Sequence, residues 1–179
     1  MRIIGGTHKG RSIHLPAQFK ARPTTDIAKE GLFNILNNYF EFENLDVLDL
    51  FAGTGSISFE FASRHVNTIH AIEQNGKLFS FIKKNIDHLG FTQITPFKTD
   101  VFRYIRKCEN KFHIIFADPP YHLKTLEQIP QYIFENNLLK KEGWLILEHP
   151  KDYHFEGTSS FFKTKKYGNV HFSFFVNSE

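Results

Sequence analysis

The sequence predicts an α/β protein on a doubly wound sheet, with mostly parallel strands, helices on both faces and a last strand that runs antiparallel. Three observations lead there. From residue 46 onward, strand-like runs alternate with helix-like runs until five strands have been laid down, the pattern of a parallel sheet with crossover helices. Each of these strands ends in or beside an acid, at Asp49, Glu73, Asp100, Asp118 and Glu148. The closing stretch SSFFKTKKYGNVHFSFFV holds two β-like runs around Tyr167-Gly168-Asn169 with no helix between them. That is a hairpin, and a hairpin reverses strand direction.

In chain order, RIIGG and RSIHLP flank a Gly-rich turn and predict a small N-terminal hairpin. ARPTTD then stops the chain and starts a helix. Thr25 or Asp26 can cap it, and Ile27, Leu32, Phe33, Ile35, Leu36 and Tyr39 follow with mostly helical spacing. DVLDLF is the first strand of the sheet, and GSISFEFASRH the helix after it. NTIHAIE and GKLFSFIKKNIDHLG repeat the pair, with Gly90 as the helix stop. QITPFKTD, the short helix VFRYIRKC and the strand KFHIIFAD come next. KTLEQIPQYIFENNLL reads as a helix in which Pro130 marks a start or a kink, and GWLILEH is the fifth strand.

At 179 residues the chain is long enough for one compact unit with a real core. Within it, residues 1–44 are expected to form a basic hairpin and helix, and residues 45–179 the main domain built on the sheet. Composition is that of an ordinary soluble domain, and no window approaches a membrane span. The single cysteine, Cys108, excludes an internal disulfide and fits a reducing cytoplasm, the expected location. The histidines show no ligand spacing with cysteine or acids, so no metal is expected. Residues 1–25 carry Arg2, Lys9, Arg11, Lys20 and Arg22 and no acid. A one-sign segment on a near-neutral body points to a polyanion, with Lys9, Arg11, Arg22 and Thr24 as candidate contacts. The plain alternative is a solvated surface tail.

Ligands of doubly wound sheets bind outside the carboxyl ends of the strands. The first turn there is DLFAGTGSIS, in which Gly53 and Gly55 allow a tight turn and close backbone approach. Glu73 lies twenty residues beyond Gly53, placed to bind a ribose diol. A dinucleotide would satisfy this much. Two details oppose it: Ser58 stands where that fingerprint has a third Gly or Ala, and Asp49 precedes the glycines, where a carboxylate repels a pyrophosphate. An adenosine ligand with an ammonium and a sulfonium, S-adenosylmethionine, is attracted instead. Asp100 can accept from the adenine amine, and Phe51 and Phe102 can flank the ring or simply pack in the core. The plain readings of Asp49 and Glu73 are a helix cap and a surface ion pair.

The strand IIFADPPY ends in an acid, two prolines and an aromatic ring. Proline cannot continue inside a sheet, so the strand stops and the group is left for other use. An exocyclic amine on a base is a poor nucleophile. Methylating it needs acceptors for both amine hydrogens, and the Asp118 carboxylate and the Pro119 carbonyl, held rigid by Pro119 and Pro120, can supply them. Tyr121 offers a face on which a base can stack. Asp rather than Asn favours guanine, whose N1–H and 2-amino group are adjacent donors for an acceptor-only carboxylate; cytosine is not separated by this argument.

At this point the chain resembles the ribosomal small subunit methyltransferase D family. The resemblance rests on MRIIGGTHKGR, ARPTTD leading into GLFNIL, VLDLFAGTGSISFE, ADPPY, GWLILEH and KKYGNVHFSFF, and covers nearly the whole chain. It implies a class I S-adenosylmethionine-dependent methyltransferase with a Rossmann-like, seven-stranded sheet. It implies cofactor contacts at Asp49, Ala52, Gly53, Gly55, Glu73, Asp100 and Val101, and a target-amine site at Asp118, Pro119, Pro120 and Tyr121. The implied substrate is the 2-amino group of a guanine in 16S ribosomal RNA, presented in an assembled or nearly assembled small subunit; a monomer is the default expectation. The chain departs from the family at Lys29, where Arg is usual. The competing functions are an adenine-N6 methyltransferase on RNA or DNA, which should show Asn before the double proline, and a non-catalytic RNA-binding module that keeps the fold.

Overall fold

The computed structural model describes residues 1–16, 19 and 24–179. Its centre is a seven-stranded sheet of β1 (Asp46–Leu50), β2 (Thr68–Ile72), β3 (Ile94–Phe97), β4 (Phe112–Ala117), β5 (Leu139–His149), β6 (Phe161–Tyr167) and β7 (Val170–Val176), in the order β3-β2-β1-β4-β5-β7-β6. Strands β1 to β5 are mutually parallel, and β7 runs antiparallel to both its neighbours. The expected doubly wound sheet with an antiparallel last strand is therefore observed. The order reverses between β2 and β4 around β1, so a crevice opens at the carboxyl end of β1.

The period of two along each strand divides the core into two layers. Val47, Ile69, Ile114, Phe116, Ile146 and Phe174 face one side, against α1 (Asp26–Leu36), α2 (Ser56–Ser63) and α3 (Gly76–Leu89). Leu48, Leu50, Ile115, Leu145, Leu147 and Phe175 face the other, against α4 (Val101–Lys107) and α5 (Ile129–Glu135). Both faces are covered, which is why the central strands read as continuous apolar runs. Pro96 in β3 is tolerated because β3 is an edge strand.

The N-terminal segment is part of this core. Residues 1–13 form a short antiparallel pair, with Ile3 N–H on the Arg11 carbonyl at 3.0 Å and Ile13 N–H on the Met1 carbonyl at 2.8 Å. Ile3 and Ile13 are buried in the same cluster as Leu32, Phe33 and Phe61. Thr25 caps α1, accepting from Ala28 N–H at 3.2 Å. On α1, Gly31 faces Tyr167 so closely that a Cβ would enter its ring, which seats α1 against β6.

Two boundaries differ from expectation. The helix predicted over KTLEQIPQYIFENNLL is confined to α5 after a 3-10 turn at Leu126–Gln128, because Pro130 lacks an N–H and suits only a first turn. Leu139 joins the sheet instead, paired with Phe112 and preceded by the buried Leu138, so β5 starts four residues before Gly143.

Candidate active site

The crevice is built first from the turn between β1 and α2. Asp49, the penultimate residue of β1, is 1 % exposed. Its Oδ2 accepts from the Ser58 N–H at 3.1 Å and the Ser58 Oγ at 2.5 Å. One side chain thus holds the first turn of α2 and forms a pocket wall. Ser58 is there as the donor that fixes Asp49, a role a third glycine could not serve. Burial pushes the Asp49 carboxyl up to about 7, with the Ser58 bonds opposing and the Glu73 charge adding. The turn itself is held in the left-handed region at Phe51 (φ 61°) and Gly55 (φ 79°). A Cβ on Gly55 would lie 2.9 Å from the Phe59 ring, so both backbone and space require glycine.

Glu73 follows β2 and turns both oxygens to backbone. Oε2 accepts from Gly53 N–H at 2.8 Å and Oε1 from Asn75 N–H at 2.7 Å. It closes the turn rather than pairing with a surface cation, and burial raises its carboxyl above the ordinary range. Asp100 is exposed and caps α4, Oδ1 accepting from Arg103 N–H at 2.9 Å. Val101 and Ala52 lie on the pocket wall beside Phe51. Phe102 packs against Phe51 and Tyr132 in the second core layer and does not reach the wall.

At the end of β4, Asp118 N–H still reaches the Leu50 carbonyl at 3.4 Å. Pro119 then ends the pairing and is buried, while Pro120 and Tyr121 stand at the mouth, Tyr121 with 50 % exposure. The Asp118 carboxyl is raised well above the carboxylate range, by burial first and then by the Glu148 and Asp49 charges. Glu148, on β5, is pushed up to about 7 by burial, opposed by a hydrogen bond from the Thr24 hydroxyl at 3.0 Å.

All five strand-end acids line one pocket of about 620 Å³, together with the 119–121 segment, a size suited to a small-molecule ligand. Among the described residues no Lys or Arg lines it. An acid-walled crevice with apolar surface from Phe51, Ile72, Leu78 and Val101 fits a cationic adenosine compound and disfavours one carrying phosphates. The fit of the donor set is thus chemical: carboxylates for an ammonium and sulfonium, apolar walls for an adenine.

Several expected residues sit elsewhere. Thr24, expected on an RNA-contacting segment, is buried in the pocket with its hydroxyl on Glu148. Lys9 and Arg11 are exposed on the N-terminal pair, and Arg22 lies outside the described residues. Lys29 is 1 % exposed and bonds the Arg2 carbonyl at 2.5 Å and Glu60 Oε1 at 3.1 Å. Glu60, itself fully buried, also takes Arg64 and the Ile4 N–H. Here Lys suffices because its hydrogen bonds go to one Glu60 oxygen and one carbonyl, with Asp26 Oδ1 further off at 3.8 Å, so no single carboxylate presents both oxygens to a bidentate fork. His149 is buried. Nδ1–H donates to the Pro150 carbonyl at 2.8 Å, so Nε2 accepts from Ser173 Oγ at 2.7 Å, a neutral tautomer with a structural role. Among the described residues no group of three potential ligands could hold a metal, and no helix is long and apolar enough to cross a membrane.

Sequence reasoning missed the Thr24–Glu148 contact, Asn75 and the turn residue Asn169 on the wall. Asn75 had a signal, since Asn before a helix caps it, and its oxygen accepts from Lys77 and Leu78 N–H. The other two depend on strands far apart in the chain.

The family described as Conserved hypothetical protein 95 matches residues 1–176. A Bacillus subtilis protein, YlbH, described as a candidate rRNA methyltransferase, is 34 % identical over 156 residues, covering 85 % of this chain and 84 % of its own. Ribosomal RNA small subunit methyltransferase D of Buchnera aphidicola (subsp. Acyrthosiphon pisum) is 33 % identical over 150 residues, covering 83 % and 78 %. Among solved structures, the Escherichia coli protein yhhF, a candidate methyltransferase, superposes with a TM-score of 0.86 at 26 % identity, covering 99 % of this chain and 97 % of that one.

Proposed function

This chain belongs to the ribosomal RNA small subunit methyltransferase D family, and we propose that it transfers a methyl group from S-adenosylmethionine to the 2-amino group of a guanine in 16S ribosomal RNA. The observation that carries the reading is the meeting of Asp49, Glu73, Asp100, Asp118 and Glu148 with Pro119 and Tyr121 around one pocket. The relatives' rRNA methyltransferase names support the substrate class, and Asp rather than Asn before the double proline supports guanine.

Asp49 and Glu73 would hold the cofactor's ammonium and ribose, with Phe51 and Val101 against the adenine. Bound there, S-adenosylmethionine supplies an electrophilic methyl on a sulfonium. The target base stacks on Tyr121, while the Asp118 carboxylate and the Pro119 carbonyl accept from the two amine hydrogens and aim the nitrogen lone pair at the pocket. On gaining that methyl group the amine would become acidic. Its proton passes to the Asp118 carboxylate, whose affinity for it is already raised by burial and by two neighbouring carboxyls. Removing water and fixing this geometry supply most of the rate. A substrate in the small subunit puts the action in the cytoplasm, with the enzyme working as a monomer.

The test is methylation of small subunits taken from a strain that lacks the gene, with labelled cofactor and mass-spectrometric location of the product. The expected product is N2-methylguanine in 16S RNA, absent with Asp118→Asn. Methyladenine, or guanine methylation undiminished in Asp118→Asn, would overturn the assignment.

A further inference from the structure

A second hollow, about 610 Å³, lies between the N-terminal pair and the outer face of α3. Its floor is a helical stripe. Lys77, Ser80, Lys84 and His88 are exposed at i, i+3, i+7 and i+11, while Ile82, Ile86 and Leu89 turn inward to the core. The opposite wall brings Arg11 and His14 from the N-terminal segment. Among the described residues no carboxylate lines this hollow, and none of Arg11, Lys77 or Lys84 is ion-paired.

That arrangement is unusual for a chain of net charge +3 with 19 acidic residues. Cations left unpaired on facing walls repel one another, and folding holds them together without a counter-charge. Along α3 the rise of 1.5 Å per residue separates Lys77 from Lys84 by about 10 Å and Lys84 from His88 by about 6 Å. Two lysines and a donor imidazole in a row, facing Arg11, match a run of phosphodiesters better than a single anion. Phe19 and Phe81 meet edge to face at 5.5 Å in the same hollow and offer a stacking edge beside the row.

The hollow also borders the active site. Lys77 lies in the first turn of α3, next to Asn75 and Leu78 of the catalytic pocket wall. We propose that this hollow is a phosphate-backbone track that seats a strand of ribosomal RNA running to the pocket mouth; the proposal rests on the RNA substrate proposed above. It places the docking surface on α3 as much as on the N-terminal segment, which the charge of residues 1–25 alone would not indicate.

Binding of wild type and variants to small subunits from the deletion strain would be measured by filter retention between 50 and 200 mM salt. The double variant Arg11→Ala/Lys84→Ala is expected to lose about 10-fold in affinity at low salt. Its log-affinity against log-salt slope should shrink by roughly 1–2, since each lost phosphate contact removes close to one. Arg106→Ala/Lys107→Ala, with equal charge loss on the opposite sheet face at the end of α4, should change both much less. A Lys84→Gln single variant guards against misfolding, and unchanged thermal stabilisation by S-adenosylmethionine confirms an intact pocket. Equal losses in the groove and control variants, or none in either, overturn the track. If wild type binds subunits through the groove yet methylates nothing, the proposed function falls while the track stands.

Discussion

Replacing Glu148 with Gln should stabilise the free protein at pH 8 while leaving it unchanged near pH 4.5. Glu148 is 4 % exposed, beside Asp118, and burial moves its carboxyl from 4.5 to about 7. At about 1.4 kcal/mol per tenfold change in proton affinity, the ionised form costs the folded state about 3 kcal/mol. The folded state binds this proton more tightly than the unfolded chain. Wild-type stability therefore falls as pH climbs from 4.5 through about 7 and levels off above. Gln carries no charge, still offers an oxygen to the Thr24 hydroxyl, and escapes the loss. For a chain of this size the gain corresponds to about 5–10 °C in Tm at pH 8. Thermal unfolding followed by circular dichroism at the two pH values measures it. A Gln variant no more stable than wild type at pH 8, or one with the same gain at both pH values, would refute the reasoning. Because Asp118 loses a like charge nearby, its own proton affinity should fall in the same variant.

Three further outcomes follow from the same geometry. S-adenosylmethionine affinity should rise with pH by about fivefold between pH 6 and 7 and by less than about twofold more up to pH 8, because Asp49 ionises at about 7; calorimetric titration checks this, and Asp49→Asn should flatten the profile. Lys29→Met should lower stability by about 1–3 kcal/mol in urea unfolding, since it strips one of two cations from the fully buried Glu60 carboxylate, which keeps Arg64. Tyr121→Ala should weaken subunit use by about 1–3 kcal/mol in kcat/KM, with Tyr121→Phe restoring most of it, because a ring face rather than the hydroxyl holds the base.

Much of the fold was legible because the alternation of apolar runs with helix-like runs encodes burial on two sheet faces. Val47 and Leu48, adjacent in sequence, go to opposite layers, as period-two geometry requires. The five acids were legible for a related reason: each sits where a strand of one direction ends, so knowing the direction places all five on one edge. The extents of α5 and β5 were not legible, because Leu138 and Leu139 suit a helix as well as a strand and only their burial between β4 and α5 decides. The division of labour inside the site was equally hidden. Asp49 and Glu73 look alike as pocket acids in sequence, but only the folded turn shows their oxygens already holding Ser58 and Gly53.

By itself the sequence determined the sheet's direction, its reversal at the last hairpin, the acid at each strand end and the unusual stop at Asp118, since these depend on local periodicity and on proline's missing N–H. Tertiary structure alone decided that Thr24 meets Glu148 across 124 residues, that Lys29 is buried on Glu60, and that α3 faces Arg11 across a hollow with no acid among the described residues. Such contacts join elements distant in the chain, and no short-range pattern records which faces a crossover will bring together.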